Sequence, residues 1–356
     1  MSADSEMARR PTMADVAQLA KVSLKTVSRV ANSEANVAPA TVRAVQQAMV
    51  KLGYRRNEYA RALRQRRTAR MLGLVIKDVS NPFYASIARG VEEEVRDRGL
   101  LVVAGSSDED AERERALLEI FCEQRVGGLL VVPTGRDYSF LASELALGTA
   151  IVFIDRPGHN IAADTILLDN YEGARAATEH LITYGHHRVA FIGELPDVFT
   201  TVERARGYRA AISSAGLRYD KQIVKIGCHS TAAAAAATRE LLSLPDPPTA
   251  IFACNNRITF GVLAALSGLE HRVWPALVGF DDFELAANMS PPVSVVAYDP
   301  VEVGRQAARL ICERLDGATV APRQIVIPTK VLARGSGELP PREPSAGLRR
   351  SAPANA

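Results

Sequence analysis

The chain has 356 residues, 47% hydrophobic and 23% charged, a balance that allows more than one full core and excludes a disordered or fibrous chain. Its net charge of +3 conceals an asymmetry: residues 1–70 hold 14 Lys/Arg against 5 Asp/Glu, and the remainder holds 29 against 35. A basic head on an acidic body calls for a polyanionic partner at the head alone.

Residues 1–11 carry no periodic pattern. Thr12 followed by Asp15 predicts a capping box opening a first helix, with Val16, Ala17, Leu19 and Ala20 as its apolar face. Lys21-Val22 is a break, Ser23 caps a second helix, and Val27 and Val30 turn inward at i, i+3 spacing. Two short helices around a tight break predict a helix-turn-helix, the second helix entering a major groove. Along that second helix stand Ser23, Leu24, Lys25, Thr26, Ser28 and Arg29, with no acid among them. Short polar, basic and small apolar groups of this kind can meet phosphates, base edges and thymine methyls. A plain surface hairpin would carry mixed charges. Pro39 opens a third helix, Val42, Val45, Met49 and Leu52 recur on one face, and Gly53 closes it.

The run DVAQLAKVSLKTVSRVANSEANVAPATVRAVQQAMVKLGY, residues 15–54, resembles the DNA-binding head of the lactose-repressor (LacI/GalR) family. Its segment VSLKTVSRVAN carries the turn, the cap and the reading face together. The resemblance implies contacts to double-stranded operator DNA from Thr12, Ser23, Leu24, Lys25, Thr26, Ser28 and Arg29. It extends them to Asn32, Asn36 and Tyr54. A pseudo-palindromic operator read by two heads implies a homodimer. Lys21 departs from the family, which often has Gly there; a Lys at positive φ would cost about 1 kcal/mol.

Residues 57–70, NEYARALRQRRTAR, follow. Asn57 can cap a short helix with Ala60 and Leu63 on one face among arginines. Read alone, the stretch is better taken as a basic linker, because so short a helix is marginal in water. The resemblance makes it the family's hinge helix, with Asn57 and Ala60 at the DNA and Leu63 as a wedge in the minor groove. Arg56 stands where the family usually has Pro.

Residues 71–335 alternate apolar strands with helical patterns, the arrangement of doubly wound parallel sheets with right-handed crossovers. The units are too many for one sheet, so two lobes are expected. The resemblance supplies the type I periplasmic-binding-protein-like core, with an N-lobe of about 71–168 plus 299–325 and a C-lobe of about 169–298 plus 326–335. The expected architecture is thus α/β: a three-helix head at 1–56, a connector at 57–70, and a two-lobed body that binds an effector and dimerises. Residues 336–356, rich in Pro, Ser and Ala, read as a disordered tail.

Ligands of open α/β sheets bind outside the carboxyl ends of strands. Polar residues at such places are Asp78, Ser80, Asn81, Ser106, Ser107, Asp155, Arg156, Asn255, Asn256, Asp281 and Asp282, with Phe83 and Tyr84 close behind the first strand. Carboxylates, amides, an arginine and an aromatic face suit a neutral polyol. Each taken singly reads as well as a helix cap or turn former. The resemblance selects Phe83, Asp155, Arg204, Asn255 and Asp281 as effector-binding. It implies a small sugar or nucleoside-like effector. Asn256 stands where Asp is common in the family.

No G-x-G-x-x-G follows the first strand, and no P-loop, G-x-S-x-G or zinc pattern occurs. The six histidines show no ligand spacing, and the four cysteines form no C-x-x-C pair. Neither catalysis, a cofactor nor a metal is therefore expected. No apolar stretch approaches a membrane span and no h-region follows the N-terminus, so a cytoplasmic protein without a membrane partner is expected. The sum is a ligand-responsive, sequence-specific DNA-binding transcriptional regulator acting as a repressor. Its rivals are a cytoplasmic or exported solute-binding protein on the same fold, without gene regulation, and an enzyme on the same core.

Overall fold

A computed structural model describes residues 11–31, 34, 37–54, 71–267, 269 and 274–341. The chain divides into two compact units, Met1–Ala69 and Arg70–Ala356. The expectations for Asn32, Asn36 and the connector, with Asn57, Ala60 and Leu63, fall outside the described residues.

The first unit holds α1 (Met13–Ala20), α2 (Leu24–Ala31) and α3 (Pro39–Leu52). The Thr12 N–H donates to Asp15 Oδ2 at 2.7 Å, and Thr12 Oγ1 accepts from the Asp15 N–H at 3.4 Å, so two otherwise orphaned donors are satisfied reciprocally. Lys21 takes φ 55°, and its N–H closes the end of α1 on Ala17 and Gln18. The non-glycine residue at that turn carries the left-handed cost anticipated for it. Ser23 Oγ accepts from the Thr26 N–H at 3.1 Å. Gly53, at φ 64°, caps α3. The core of the unit is Val16, Ala17, Val27, Val45 and Ala48, with Tyr54 packed against its edge. Leu19 was expected inward and is instead 40% exposed. The inward stripe of so short a helix runs through Met13, Val16, Ala17 and Ala20, and Leu19 lies outside it.

The second unit begins with an N-lobe: β1 (Met71–Ile76), α4 (Pro82–Val95), β2 (Leu101–Ser106), α5 (Ala111–Glu123), β3 (Gly128–Val131), α6 (Ala142–Ala146), β4 (Ala150–Ile154) and β5 (Asp164–Leu168). The C-lobe follows with α7 (Asn170–Thr183), β6 (Val189–Ile192), α8 (Phe199–Ser214), β7 (Val224–Lys225), α9 (Thr231–Leu242), β8 (Ala250–Ala253), α10 (Asn256–Leu266), β9 (Ala276–Phe280) and β10 (Ser294–Ala297). The chain returns to the first lobe for α11 (Pro300–Leu315) and β11 (Gln324–Ile327), then crosses again to β12 (Lys330–Leu332). Each lobe has a six-stranded sheet, ordered β11-β5-β4-β3-β1-β2 and β12-β10-β9-β8-β6-β7. Every pairing is parallel except β10 with β12. Strands β3, β4, β6, β8 and β9 are buried along their whole length, as strands sandwiched by helices must be.

Three differences from the sequence reading have physical causes. The third crossing falls after Ile327 rather than near residue 326, because β11 stays paired with β5 up to Ile327 opposite Leu168. The helix expected at 138–147 is a 3-10 turn, Ser139–Leu141, running into a five-residue α6. Residues 336–341 are packed on the C-lobe instead of starting a tail. The buried Ser336 bonds through its carbonyl and Oγ to the N–H groups of Leu277 and Ser294, each at 2.9 Å. Glu338 meets His180 and the Ser294 hydroxyl, and the Leu339 carbonyl lies 2.8 Å from His186 Nε2. Their Pro and Gly content reads as linker, but Ser336 satisfies N–H groups at the amino ends of the interior strands β9 and β10.

In the N-lobe, α4 and α11 touch through a reciprocal glycine pair. A Cβ on Gly90 would lie 2.0 Å from the Val301 carbonyl oxygen, and one on Gly304 would lie 2.1 Å from that of Ile87. The helices meet backbone to backbone, so a methyl group at either place must push them apart. Gly304→Ala is therefore expected to destabilise the body by about 1–3 kcal/mol, the usual cost of overpacking. Urea unfolding followed by far-ultraviolet dichroism checks it, and an unchanged midpoint would refute the close packing.

Candidate functional site

In the first unit the residues expected to read DNA lie on or beside α2. Ser23, Leu24 and Lys25 are exposed, Leu24 by 54%. Thr26, Ser28 and Arg29 are half-exposed on the same short helix, and Thr12 is exposed at the start of α1. Ser23 and Thr26 hydroxyls bond to each other at 2.8 Å. Arg29 Nε lies 3.5 Å from Glu34, an acidic neighbour the sequence reading did not single out. Tyr54 is half-buried against the helical core, so part of its ring is committed to packing.

In the second unit the carboxyl ends of the two sheets border one cleft. Its lining includes Phe83, Asp155, Arg204, Asn255 and Asp281, all five residues selected from the sequence. A larger hollow of about 480 Å³ sits at the amino ends of β4 and β5, floored by Asp164 and Arg314. It holds none of the five, and in open α/β sheets the carboxyl ends are the binding side.

Asp155 and Asp281 each follow the last residue of a strand, β4 and β9, and take φ 69° and 72°. Such angles are costly for aspartate and cluster at ligand sites. The Asp281 carboxylate is engaged: it accepts from the Tyr298 hydroxyl at 2.7 Å and from the Asn256 N–H at 3.2 Å. Burial, with the charge of Asp281 beside it, holds the Tyr298 hydroxyl well above its ordinary range, so it stays a neutral donor.

Arg204 lies flat on the Phe280 ring, 3.6 Å from its centroid. It donates from Nε to Asn170 Oδ1 at 2.8 Å and from Nη1 to the Cys254 carbonyl at 2.5 Å, with Nη2 3.8 Å from Asp281. The stacking and both bonds fix the plane of the fork. Asn255 caps α10 through Oδ1 on the Ile258 N–H at 2.9 Å and donates from Nδ2 to Glu194 at 3.1 Å. Phe83 meets Tyr298 edge-on at 5.9 Å.

Asp155 differs from the rest. It is 5% exposed, and its carboxylate has no hydrogen bond among the described residues; Arg156 Nε stands 3.7 Å away, itself buried without a hydrogen-bond partner. Burial pushes the Asp155 carboxyl up to about 6, with Arg156 and Arg204 opposing and Asp281 and Glu109 adding to the rise. Two buried polar groups side by side, both short of partners, are what a hydroxylated ligand would satisfy.

Sequence reasoning passed over Lys77, Glu109 and Glu194. Lys77 contacts both carboxylates, Glu109 at 3.0 Å. Arg156 grips Glu109 through Nη1 and Nη2. Burial works to raise the Glu109 carboxyl, but Arg156 and then Lys77 prevail and hold it below the usual carboxylate range. Lys77 follows β1 directly and Glu194 follows β6 by two residues, so both meet the strand-end rule that singled out Asp78, Asp155, Arg156, Asp281 and Asp282. Of the other strand-end residues, Asn81 and Asn256 bond across the lobes at 2.7 Å. Asp282 is turned to Arg334, and Ser107 pairs with Thr134. Asn256, where Asp was noted as common, supplies the amide donor of that crossing bond.

A folded-state value raised from 3.8 to about 6 means that native Asp155 holds its proton where the unfolded chain has lost it. Its stabilising effect is complete below the unfolded value and is lost as pH rises through about 6. Asp155→Asn is uncharged throughout, so it should be more stable than the parent at pH 7 by an amount on the order of 2 kcal/mol and lose this advantage near pH 4. Urea titrations at both pH values check this; a difference independent of pH would show that the buried charge is not the cause.

Residues 12–57 match the bacterial regulatory proteins of the lacI family, and residues 178–337 match the periplasmic binding protein-like domain. The HTH-type transcriptional regulator CelR of Thermobifida fusca is 36% identical over 93% of this chain and 100% of its own length. The HTH-type transcriptional repressor PurR of Aliivibrio fischeri is 31% identical over 91% of this chain and 98% of its own. A solved transcriptional regulator CelR–cellobiose complex superposes with a TM-score of 0.67 at 33% identity, covering 92% of this chain and all of that one. Among the described residues no helix is long and apolar enough to cross a membrane.

Proposed function

The chain belongs to the lacI family of bacterial regulatory proteins, a ligand-responsive DNA-binding transcriptional regulator, and from that premise we propose that it is a cytoplasmic repressor. It acts as a homodimer on a pseudo-palindromic operator and is governed by a small, neutral, polyhydroxylated effector of sugar type. The observation that carries the effector reading is the Asp155–Arg156 pair, buried in the cleft with hydrogen-bonding capacity unmet. A single sugar hydroxyl can donate to the carboxylate and accept from Nε, relieving both.

The charge of the cleft favours a neutral ligand. Lys77, Arg156, Arg204 and Arg257 are each within 4 Å of a carboxylate of Glu109, Glu194, Asp155, Asp281 or Asp78, so among the described residues every Lys and Arg of the cleft already faces an acid. Phe83 offers an apolar face for the C–H side of a ring. The relative whose solved complex contains cellobiose supports the same class. Asp155, Arg204, Asn255, Asp281 and Phe83 are the proposed contacts.

On the head, α2 presents Leu24 for a thymine methyl and Lys25 and Arg29 for guanine or phosphate, with Ser23, Thr26, Ser28 and Thr12 as shorter donors. The ligand acts by linkage: it binds one lobe arrangement better than another, and the same arrangement biases operator affinity, so each ligand changes the affinity of the other by one factor.

Fluorescence anisotropy with an operator duplex and a scrambled duplex tests the reading, in the presence and absence of cellobiose and a panel of other neutral sugars. Arg29→Ala should lose about 1–3 kcal/mol of operator affinity and most discrimination against the scrambled duplex; equal losses on both duplexes would make Arg29 a phosphate contact only. Asp281→Ala should abolish the sugar-induced shift in operator affinity, while the effector-free complex persists. A shift that survives the substitution would remove Asp281 from the site, and no shift with any sugar in the parent protein would reject the effector class.

A further inference from the structure

The cleft is already occupied by the protein itself. About 80 Å³ remains empty in it, far below the roughly 300–1,000 Å³ usual for small-molecule sites and room for only two or three waters, at about 30 Å³ each. What fills it is a charged relay that runs from one lobe to the other: Arg156 to Glu109, Glu109 to Lys77, Lys77 to Glu194 and Glu194 to Asn255. Lys77 is the step that crosses between lobes. We propose that Lys77 is a resident occupant of the effector cleft, a positioning residue whose ammonium, by bridging Glu109 and Glu194, holds the lobes shut until an effector displaces it.

Three observations separate this pair from ordinary surface charges. Lys77, Glu109 and Glu194 side chains are 21%, 13% and 10% exposed, whereas the rim pair Arg136–Asp197 is 82% and 72% exposed. Rim pairs are screened and contribute little, whereas an enclosed pair is screened much less and removal of one partner leaves an uncompensated charge. Both carboxylates are anchored independently of Lys77. Glu109 is held by the buried Arg156 from a loop residue at φ 63°, and Glu194 by Asn255. The sockets therefore stay formed when the ammonium leaves.

The two sheets also have the same strand order, with β1 in one taking the place of β6 in the other. Lys77 and Glu194 thus come from equivalent strand ends of the two lobes. Equivalent ends facing each other across a cleft would repel if they carried the same charge, and here they carry opposite ones. Asn81 with Asn256, both buried, and Asp78 with the more exposed Arg257 reinforce the closure.

An effector must give Glu109 and Glu194 new donors in exchange for the ammonium, which rests on the reading of this cleft as the effector site. Closure of the effector-free protein does not, and it can be measured separately. Spin labels at Glu112 and Ala232, exposed residues in the first turns of α5 and α9, would be introduced into the full chain with Cys122, the one half-buried cysteine, replaced by Ser. Pulsed electron resonance then reads the interlobe distance without ligand. Lys77→Met and, from the other lobe, Glu194→Gln should shift the distribution to longer distances, Lys77→Arg should restore the short one, and Arg136→Ala should leave it as in the parent. Distributions that match the parent for both Lys77→Met and Glu194→Gln, with unchanged circular dichroism, would overturn the proposal, as would opening by Arg136→Ala to the same extent. Addition of cellobiose to the parent reports on the effector reading alone: no response there, with the variants open, would reject that ligand and keep the latch.

Discussion

Asp155 and Asp281 hold the same place in two equivalent sheets, and the body depends on that duplication. Each residue ends a strand at positive φ, and each donates its backbone N–H to the next strand over, Ile166 in one lobe at 2.8 Å and Val296 in the other at 3.0 Å. The strained turn is held by the sheet, so the carboxylates are positioned by backbone rather than by side-chain partners. From there the lobes diverge. Asp281 is satisfied by Tyr298 and Asn256, and Asp155 is left against Arg156 without a hydrogen bond. One aspartate is tied to its neighbours by hydrogen bonds, and among the described residues the other is not.

The order of elements was legible because parallel strands buried on both faces are continuous apolar runs, and the intervening helices keep a helical period. The cleft followed from a topological rule about strand ends. What could not be read was partnership. Asn255 satisfies both readings given to it, helix cap and cleft residue, because its two amide atoms go different ways. Arg204 was visible as a helix residue after a strand, but its stacking on Phe280 is a long-range fact. Lys77, Glu109 and Glu194 lie far apart in sequence, and nothing local tells a charged strand-end residue that bridges a cleft from one that faces water. The packed segment at 336–341 was misread for the opposite reason: its composition is that of a linker, while Ser336 satisfies N–H groups at the amino ends of the interior strands β9 and β10.

Across the lobe boundary run paired polar contacts, Lys77 with Glu194 and Asn81 with Asn256, beside the ring contact of Phe83 with Tyr298. Polar contacts of this kind exchange readily for contacts to water or ligand, at a small net difference. A hydrophobic interface would lock the lobes, and an interface of unpaired charges would hold them apart. A paired, partly solvated relay leaves them within reach of a ligand whose binding energy is modest, which a switch requires.

The head is under a related constraint. A three-helix unit whose fully buried residues are Val16, Ala17, Val27, Val45 and Ala48 has little apolar area to offset chain entropy, so its local devices matter more than they would in a large domain. The capping box at Thr12 and Asp15 and the Ser23 cap supply part of what the core lacks, while Lys21 at φ 55° spends some of it. Glu34 beside Arg29 belongs to the same economy of short-range contacts. A carboxylate at that distance restrains the guanidinium while adding negative charge close to a helix that must approach phosphates. On the proposed reading, its electrostatic cost to DNA affinity falls on every sequence alike, whereas restraint of Arg29 favours those duplexes that place a guanine where the fork already lies. That exchange of affinity for selectivity suits a regulator that must leave most of a chromosome unbound.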